Sequence, residues 1–322
     1  MRRGSGLAPG LLLGAALDAL VADPREGHPV ALFGAAASRA ERRLWAATRL
    51  RGALFTAACA APAGALGWGL QRLAGRRPLP RVVVTALATW TVLGGAGLAA
   101  EASAMAGALA AGDLAAARRR LPSLCGRDPV GLAAAELARA TVESVAENTC
   151  DAVVAPLLWG AAAGLPGLLG YRAVNTLDAM VGHRSARYAR FGWAAARLDD
   201  AANLVPARVT ALLAVALAPA AGGSPRRALR TLRRDGADHP SPNAGRCEAA
   251  FAGALGVRLG GTNVYAGHTE QRGLLGDGGQ PGPADIRRAV RLSRLIGAAA
   301  TVLAALAATR PPRRSNPCAQ KP

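Results

Sequence analysis

The chain has 322 residues, 51% hydrophobic but only 4% aromatic, with a formal net charge of +19. Its five cysteines (Cys59, Cys125, Cys150, Cys247, Cys318) show no paired spacing and no C-x-x-C, which argues against a disulfide framework or a cysteine zinc site. Of 39 basic residues all but Lys321 are arginine, spread through nearly every connector without interleaved aromatics; this argues against a nucleic-acid partner and for loops beside an anionic bilayer.

In chain order, GLAPGLLLGAALDALVA has the outline of a signal peptide, but Asp18 lies inside it, and a retained first membrane segment is the reading adopted. Residues 23–51 form a polar connector headed by DPREGHP, where His28 suits a turn as well as a binding role. Gly52–Gln71 and Val82–Ala100 are uncharged runs of 20 and 19 residues, each long enough to cross a bilayer and close enough in sequence to form a helical hairpin. The small residues of LGGAGLAAEASAMAG suit tight helix packing, with Glu101 either buried or at the membrane edge. Residues 112–150 read as an extramembrane segment with helices opening at Asp113 and after Asp128-Pro129.

Ala152–Tyr171 gives another 20 uncharged residues, interrupted by Pro156 and Pro166. After polar residues 172–208 comes Val209–Pro225, a short span of 17 residues that can begin near Asn203. The stretch 226–294 reads as soluble: an arginine-rich helix, then SPNAGRCEAAFAGALG, where Asn243 and Gly245 precede a helix start able to cradle a phosphate. LGGTNVYAGH is glycine-rich, a weak signal, and no G-x-x-x-x-G-K-[ST] exists. Residues 277–284 read as a flexible linker, Leu295–Thr309 as a weak last span, and residues 310–322 as a disordered tail. The predicted fold is all-α: one polytopic integral-membrane domain over residues 1–309, with five or six membrane helices, helical extramembrane segments and no substantial β-sheet.

Three polar clusters beside apolar segments are the candidate site, because charge next to a membrane span is costly unless paired or used. On a helix, Glu136, Arg139, Glu143 and Glu147 share an arc; Arg139 can pair with either flanking glutamate, and Glu143 and Glu147 repel unless a cation or donor lies between them. Asn148 and Asp151 follow, where a helix break is expected. The second cluster is Asn175 and Asp178, then His183, Arg184 and Arg187. The third is Arg197, Asp199, Asp200, Asn203 and Arg208, with Asp199 and Asn203 on one helical face. A solvated, salt-bridge-laced surface helix is the alternative reading of the first cluster.

These residues carry a resemblance. ESVAENTCDAVVAPL, NTLDAMVGH, FGWAAARLDDAANLVPAR, SPNAGRCEAAFAGALGVRLGG and the earlier DPREGHPVALFG together resemble the CobD/CbiB family, adenosylcobinamide-phosphate synthases of cobalamin biosynthesis, in order from about Asp18 to Gly276. The sequence departs from that family at Ala179 (Ser), His183 (Tyr) and Arg246-Cys247 (Trp-Pro), so these positions are given no chemistry.

The resemblance implies a multi-pass cell-membrane enzyme that joins aminopropanol or its O-phosphate to adenosylcobyric acid by an amide bond, using ATP and Mg²⁺. Glu143, Glu147, Asp151, Asp178, Asp199 and Asp200 would then be the catalytic carboxylates, with Glu147 and Asp151 the metal candidates. His28, Arg139, Asn148, Asn175, Arg197, Asn203, Arg208 and Asn243 would bind substrate, the arginines through phosphate. Expected partners are the corrinoid, the amine, the lipid bilayer and other corrinoid-assembly membrane enzymes. The alternatives are a carrier with a polar intramembrane pathway, for which matching halves are not visible, and an Mg²⁺-dependent phosphotransferase or prenyltransferase, whose aspartates are spaced differently.

Overall fold

The computed structural model describes residues 6–21, 27–75, 77–183, 185–265 and 268–309; Asp23, Arg184 and the 310–322 tail lie outside the described residues. The chain folds as α1 (Leu7–Leu20), α2 (Pro29–Leu44), α3 (Arg49–Leu73), α4 (Pro78–Val92), α5 (Gly95–Ala110), α6 (Leu114–Arg120), α7 (Ala134–Thr149), α8 (Ala155–Val181), α9 (Trp193–Leu217), α10 (Pro225–Asp235) and α11 (Ala244–Leu255). An antiparallel hairpin of β1 (Leu259–Tyr265) and β2 (His268–Leu275) follows, and α12 (Pro283–Thr309) closes the described fold. Five helical stretches among the described residues are long and apolar enough to cross a membrane: Arg49–Leu73, Pro78–Ala110, Ala134–Val181, Trp193–Ala221 and Pro283–Thr309. The protein is thus the all-α polytopic type expected, with one small hairpin.

Local chemistry sets several helix starts. The Val30 amide donates to His28 Nδ1 at 3.3 Å, with Pro29 at the first helical position, and the Ala116 amide donates to Asp113 Oδ1 at 2.8 Å. The second helix of 112–150 starts later than expected. Asp128 Oδ1 accepts from the Val130 amide at 2.9 Å in a turn, and α7 opens at Ala134, where Glu136 Oε2 accepts from the Ala133 amide at 2.8 Å.

Between Asn148 and Asp151 the expected break is absent. Cys150–Val154 form a π-turn, in which the Ala155 amide reaches back to the Cys150 carbonyl, so α7 runs into α8. Nor is α7 a surface helix: ten of its 16 residues are buried. The 82–100 run, by contrast, is broken between α4 and α5, and the Gly94 amide at the break donates to the Ala152 carbonyl of the π-turn at 3.2 Å. Inside α8, Gly164 takes φ 68, a conformation open chiefly to glycine, ahead of Pro166. The amide of Leu165 there bonds Gln71 Oε1 of α3 at 3.2 Å, so a neighbouring helix meets the donor freed by the kink.

Residues 277–282 are not a loose linker. The Arg258 amide donates to the Gly279 carbonyl at 2.9 Å, and the Gly282 amide to Asp285 Oδ2 at 3.0 Å. Leu259–Tyr265 of LGGTNVYAGH form β1, with a bulge between Gly260 and Gly261. Both have positive φ (79 and 87), and a Cβ on Gly260 would lie 2.0 Å from the Gly273 carbonyl oxygen.

The α3–α9 side of the bundle depends on a close approach at Gly52, where a Cβ would sit 1.8 Å from the Phe191 carbonyl oxygen; at Gly107 nothing lies within 4 Å. Overpacking of this kind costs about 1–3 kcal/mol. Gly52→Ala is expected to lower the thermal midpoint of the detergent-solubilised protein by several degrees, and Gly107→Ala to leave it unchanged or raise it, as read by dye-based melting.

Candidate functional site

The centre of the site forms where the π-turn meets the middle of α8 and the first half of α9. Asn175 Nδ2 donates to Asp151 Oδ2 and to Asp199 Oδ1, both at 3.2 Å, so one carboxamide bridges two carboxylates from different helices. Asn203 Nδ2 donates to Asp199 Oδ2 at 2.9 Å, one turn along α9. The Tyr171 hydroxyl donates to Asn203 Oδ1 at 2.9 Å and lies 3.3 Å from the Asp151 carbonyl oxygen. Arg172 Nη1 reaches Asn175 Oδ1 at 3.4 Å, and Cys150 Sγ lies 3.8 Å from Asn203 Oδ1. Asp178 is within electrostatic reach of Asp199, Asp200 and Glu147. Residues of the three sequence clusters thus converge.

Glu147 joins this network to a second polar layer. Its side chain is exposed, and Arg272, Asp199, Glu143 and Arg127 lie within electrostatic reach of it. Glu143, one turn before it, is 4% exposed and fully occupied. Arg127 Nη2 donates to Glu143 Oε2 at 2.5 Å, the Gly260 amide to Oε1 at 2.7 Å, and Arg139 Nη1 lies 3.6 Å from Oε1. Arg139 also donates to the Gly260 carbonyl and, at 2.9 Å, to the Thr262 carbonyl. Arg127, bonded to Glu143 and within electrostatic reach of Glu147, supplies the cation that the sequence called for between them, and Arg139 is a second partner of Glu143 alone. Glu143 and Arg139 therefore serve as a clamp on the hairpin.

The remaining sequence candidates sit around this centre in more ordinary roles. His28 caps α2. Asn148 Nδ2 donates back to the Ser144 carbonyl at 3.0 Å. Arg197 and Asp200 form an exposed pair at 3.4 Å. Arg208 donates to the Leu204 carbonyl at 2.6 Å and reaches Asn243 Oδ1 at 3.4 Å. Asn243 Nδ2 donates to the Asp200 carbonyl at 2.8 Å, tying the start of α11 to α9. The phosphate cradle expected there is filled from within: the amides of Asn243 and Ala244 both donate to Ser241 Oγ, at 3.3 and 3.2 Å.

Sequence reading missed Tyr171, Arg172, Arg127, Arg272, His239 and Glu248. The last two belong to a cap formed by α10, α11 and the hairpin, and are 3% and 1% exposed at the side chain, with His239 Nε2 3.7 Å from Glu248 Oε1. Burial pushes both toward neutrality. Desolvation, then Arg272, brings His239 down from 6.5 to about 4, and desolvation, then Glu143 and Glu147, holds Glu248 well above the usual carboxylate range. Glu248 lay in plain view in SPNAGRCEAAF, but a single glutamate on an alanine-rich helix gives no period to mark it.

Among the described residues no three His, Cys, Asp or Glu side chains gather where they could hold a metal ion. Glu147 and Asp151 do not form a metal cage by themselves. Asp151 and Asp199, bridged by an amide, fit the other mode, in which Mg²⁺ takes one or two carboxylates and otherwise substrate phosphate and water.

A helical bundle with five stretches long and apolar enough to cross a membrane, and a carboxylate–carboxamide network where the π-turn, α8 and α9 meet, defines a polytopic membrane protein with a polar site among its helices. The CobD/Cbib protein family model matches residues 11–293, and the chain belongs to that family. It is 56% identical over 299 residues to the cobalamin biosynthesis protein CobD of Mycobacterium tuberculosis, covering 93% of this chain and 95% of that protein. The proteins of the same name from Geobacter metallireducens and Rhodobacter capsulatus are 49% and 42% identical, over 81% and 88% of this chain and 84% and 90% of theirs. No solved structure matches it significantly. The chain is thus a protein of cobalamin biosynthesis.

The two buried cap residues make opposite contributions to stability with pH. His239, with its folded pKa depressed, contributes stability that is lost as pH falls from 6.5 toward 4; Glu248, with its folded pKa raised, contributes stability that is lost as pH rises above 4.5. Between these limits the two oppose each other. Glu248→Gln removes one of them, so its unfolding free energy should fall more steeply than that of the parent as pH drops from 6.5 to 4.5. Denaturant melts of both proteins across that range check the slope.

Proposed function

We propose that the protein is an amide-forming ligase of the cell membrane that joins aminopropanol or its O-phosphate to the free carboxylate of adenosylcobyric acid, with ATP supplying the activation. The observation that supports this reading most is the Asp151–Asn175–Asp199–Asn203 network from three segments, opening through Glu147 toward an arginine-bearing cap. A carboxylate is not attacked by an amine until its oxygen becomes a leaving group. In this reading the substrate carboxylate attacks the γ-phosphorus of ATP and expels ADP; the amine then attacks the acyl phosphate and expels phosphate with loss of a proton. Bound Mg²⁺ would neutralise phosphate charge.

The chain's own residues would orient and hold. Asp199 is fixed by two carboxamides and Asp151 by one, so both carboxylates are presented in a single geometry to an incoming ammonium or to a phosphate-bound cation. Arg172 lies within the network and Arg272 above it, placed to meet phosphate oxygens through their forked donors. Tyr171 locks Asn203, which in turn locks Asp199.

Purified protein is expected to convert adenosylcobyric acid in an amine-, ATP- and Mg²⁺-dependent manner. Glu147→Gln and Asp199→Asn should each lose roughly 100-fold or more in kcat/KM, about 2.7 kcal/mol or more of transition-state stabilisation. Arg230→Gln, in the exposed arginine face of α10, should stay within about twofold, since screened surface charges contribute little. Chromatographic separation of the corrinoid product measures all three, and full turnover by well-folded Asp199→Asn would sink the assignment.

A further inference from the structure

The β-hairpin has two chemically distinct faces. On one, Thr262 Oγ1 and Gln271 Oε1 are bonded to each other at 3.0 Å and exposed. Directly opposite cross-strand residues share a face, so Asn263 lies with its partner Glu270, and with Arg272, which pairs with Glu270 at 3.4 Å. This second face looks into the protein. Arg272 and Glu270 act electrostatically on His239, and Arg272 on Glu248 and Glu147, while Gly273 abuts Asp238.

In this layer three side chains from three parts of the chain keep polar atoms unspent. Asn263 is 1% exposed, and neither its Nδ2 nor its Oδ1 has a hydrogen-bond partner among the described residues; Glu248 Oε2 and His239 Nε2 are likewise unmatched. The His239 tautomer follows from its other nitrogen. Nδ1 lies 3.0 Å from the Ser241 amide and 3.3 Å from the Ser241 carbonyl oxygen; the shorter contact makes it the acceptor and leaves the proton of the neutral ring to Nε2. Buried polar groups in native proteins are nearly always bonded, so such a set in one layer points to a ligand that completes it.

We propose that the layer between the β-hairpin and α11 is a carboxamide-binding pocket, in which a ligand's primary amide accepts from His239 Nε2 and donates to Asn263 Oδ1 and Glu248. The neutral state that burial imposes on His239 and Glu248 suits a neutral donor–acceptor group. A carboxylate ligand is disfavoured: it has no hydrogen to donate and would face Glu143 and Glu147, even with Arg127 and Arg272 nearby. The pocket therefore selects amide over acid. Which amide rests on the ligase reading: adenosylcobyric acid carries primary amides around its macrocycle, and one held here would leave the free carboxylate for the network below.

The test is equilibrium dialysis of adenosylcobyric acid, followed by corrin absorbance, against full-length protein in detergent. Asn263→Ala should weaken binding by roughly tenfold or more, and Thr262→Ala, on the outer face, by less than about twofold. Asn263→Asp is isosteric; its affinity should fall as pH rises through the titration of the new carboxyl, a dependence beyond any shown by the parent and one that mere structural damage would not produce. Parent-like affinity and pH profile in both Asn263 variants would overturn the pocket. If the parent binds adenosylcobyric acid tightly, with the expected loss at Asn263, but never converts it, the ligase reading fails while the pocket stands. If the parent does not bind it at all, propionamide becomes the probe. Protection of β1 and β2 amides from hydrogen exchange by propionamide but not propionate, lost in Asn263→Ala, supports the pocket, and its absence overturns it.

Discussion

The site depends on one extra residue in a helix. The π-turn at Cys150–Val154 leaves carbonyl groups without their normal partners, and the rest of the fold supplies replacements. The Gly94 amide takes the Ala152 carbonyl, which places the break between α4 and α5; the Tyr171 hydroxyl approaches the Asp151 carbonyl, which brings the middle of α8 alongside. With α7 and α8 joined in this way, Asp151 meets Asn175, and α9 completes the set through Asp199 and Asn203. A polar cluster in an apolar surround survives only when nearly every atom is met. Here each carboxamide is spent at both ends.

Above the network the order of construction is reversed. A buried glutamate, Glu143, is held by Arg127 on one side and by a main-chain amide of the hairpin on the other. The chain between α6 and α7, the first turns of α7 and β1 are thereby fastened at one carboxylate. Glu147, one turn on, belongs to both layers. Two otherwise separate polar regions, one among the spans and one in the cap, thus become a continuous path with Glu147 exposed at its middle.

Much of this was legible in the residues. Uncharged runs near 20 residues located the spans, because bilayer thickness sets their length. The three polar clusters announced a shared site, because charge beside such runs needs a reason. What stayed hidden was of two kinds. The first was continuity: Asn148–Asp151 looked like a helix end, and a π-turn has no sequence period of its own. The second was partnership across the fold. Arg127 and Arg272 look like any of the other arginines in the sequence, and only the tertiary arrangement brings them to Glu143 and Glu147. Tyr171 and Arg172 carry no signal of their own, because they stand where an apolar run ends. At the start of α11 the signal pointed in the other direction, since Ser241 occupies the Asn243 and Ala244 amides that a phosphate would have used.

The clamp on the hairpin grips main chain. Arg139 takes the carbonyls of Gly260 and Thr262, and Glu143 the amide of Gly260, so none of these bonds reads the identity of a hairpin side chain. Drift of residue type along the outer face of β1 and β2 is therefore nearly silent to the clamp, provided the glycine at 260 remains. Drift of length is not. A single-residue insertion or deletion between positions 259 and 262 would offer Arg139 and Glu143 the wrong peptide groups and turn the inner face outward. The outer face is constrained by the count of residues more than by their kind, so lineages of this chain should tolerate rewriting of that face more readily than any indel within the first strand.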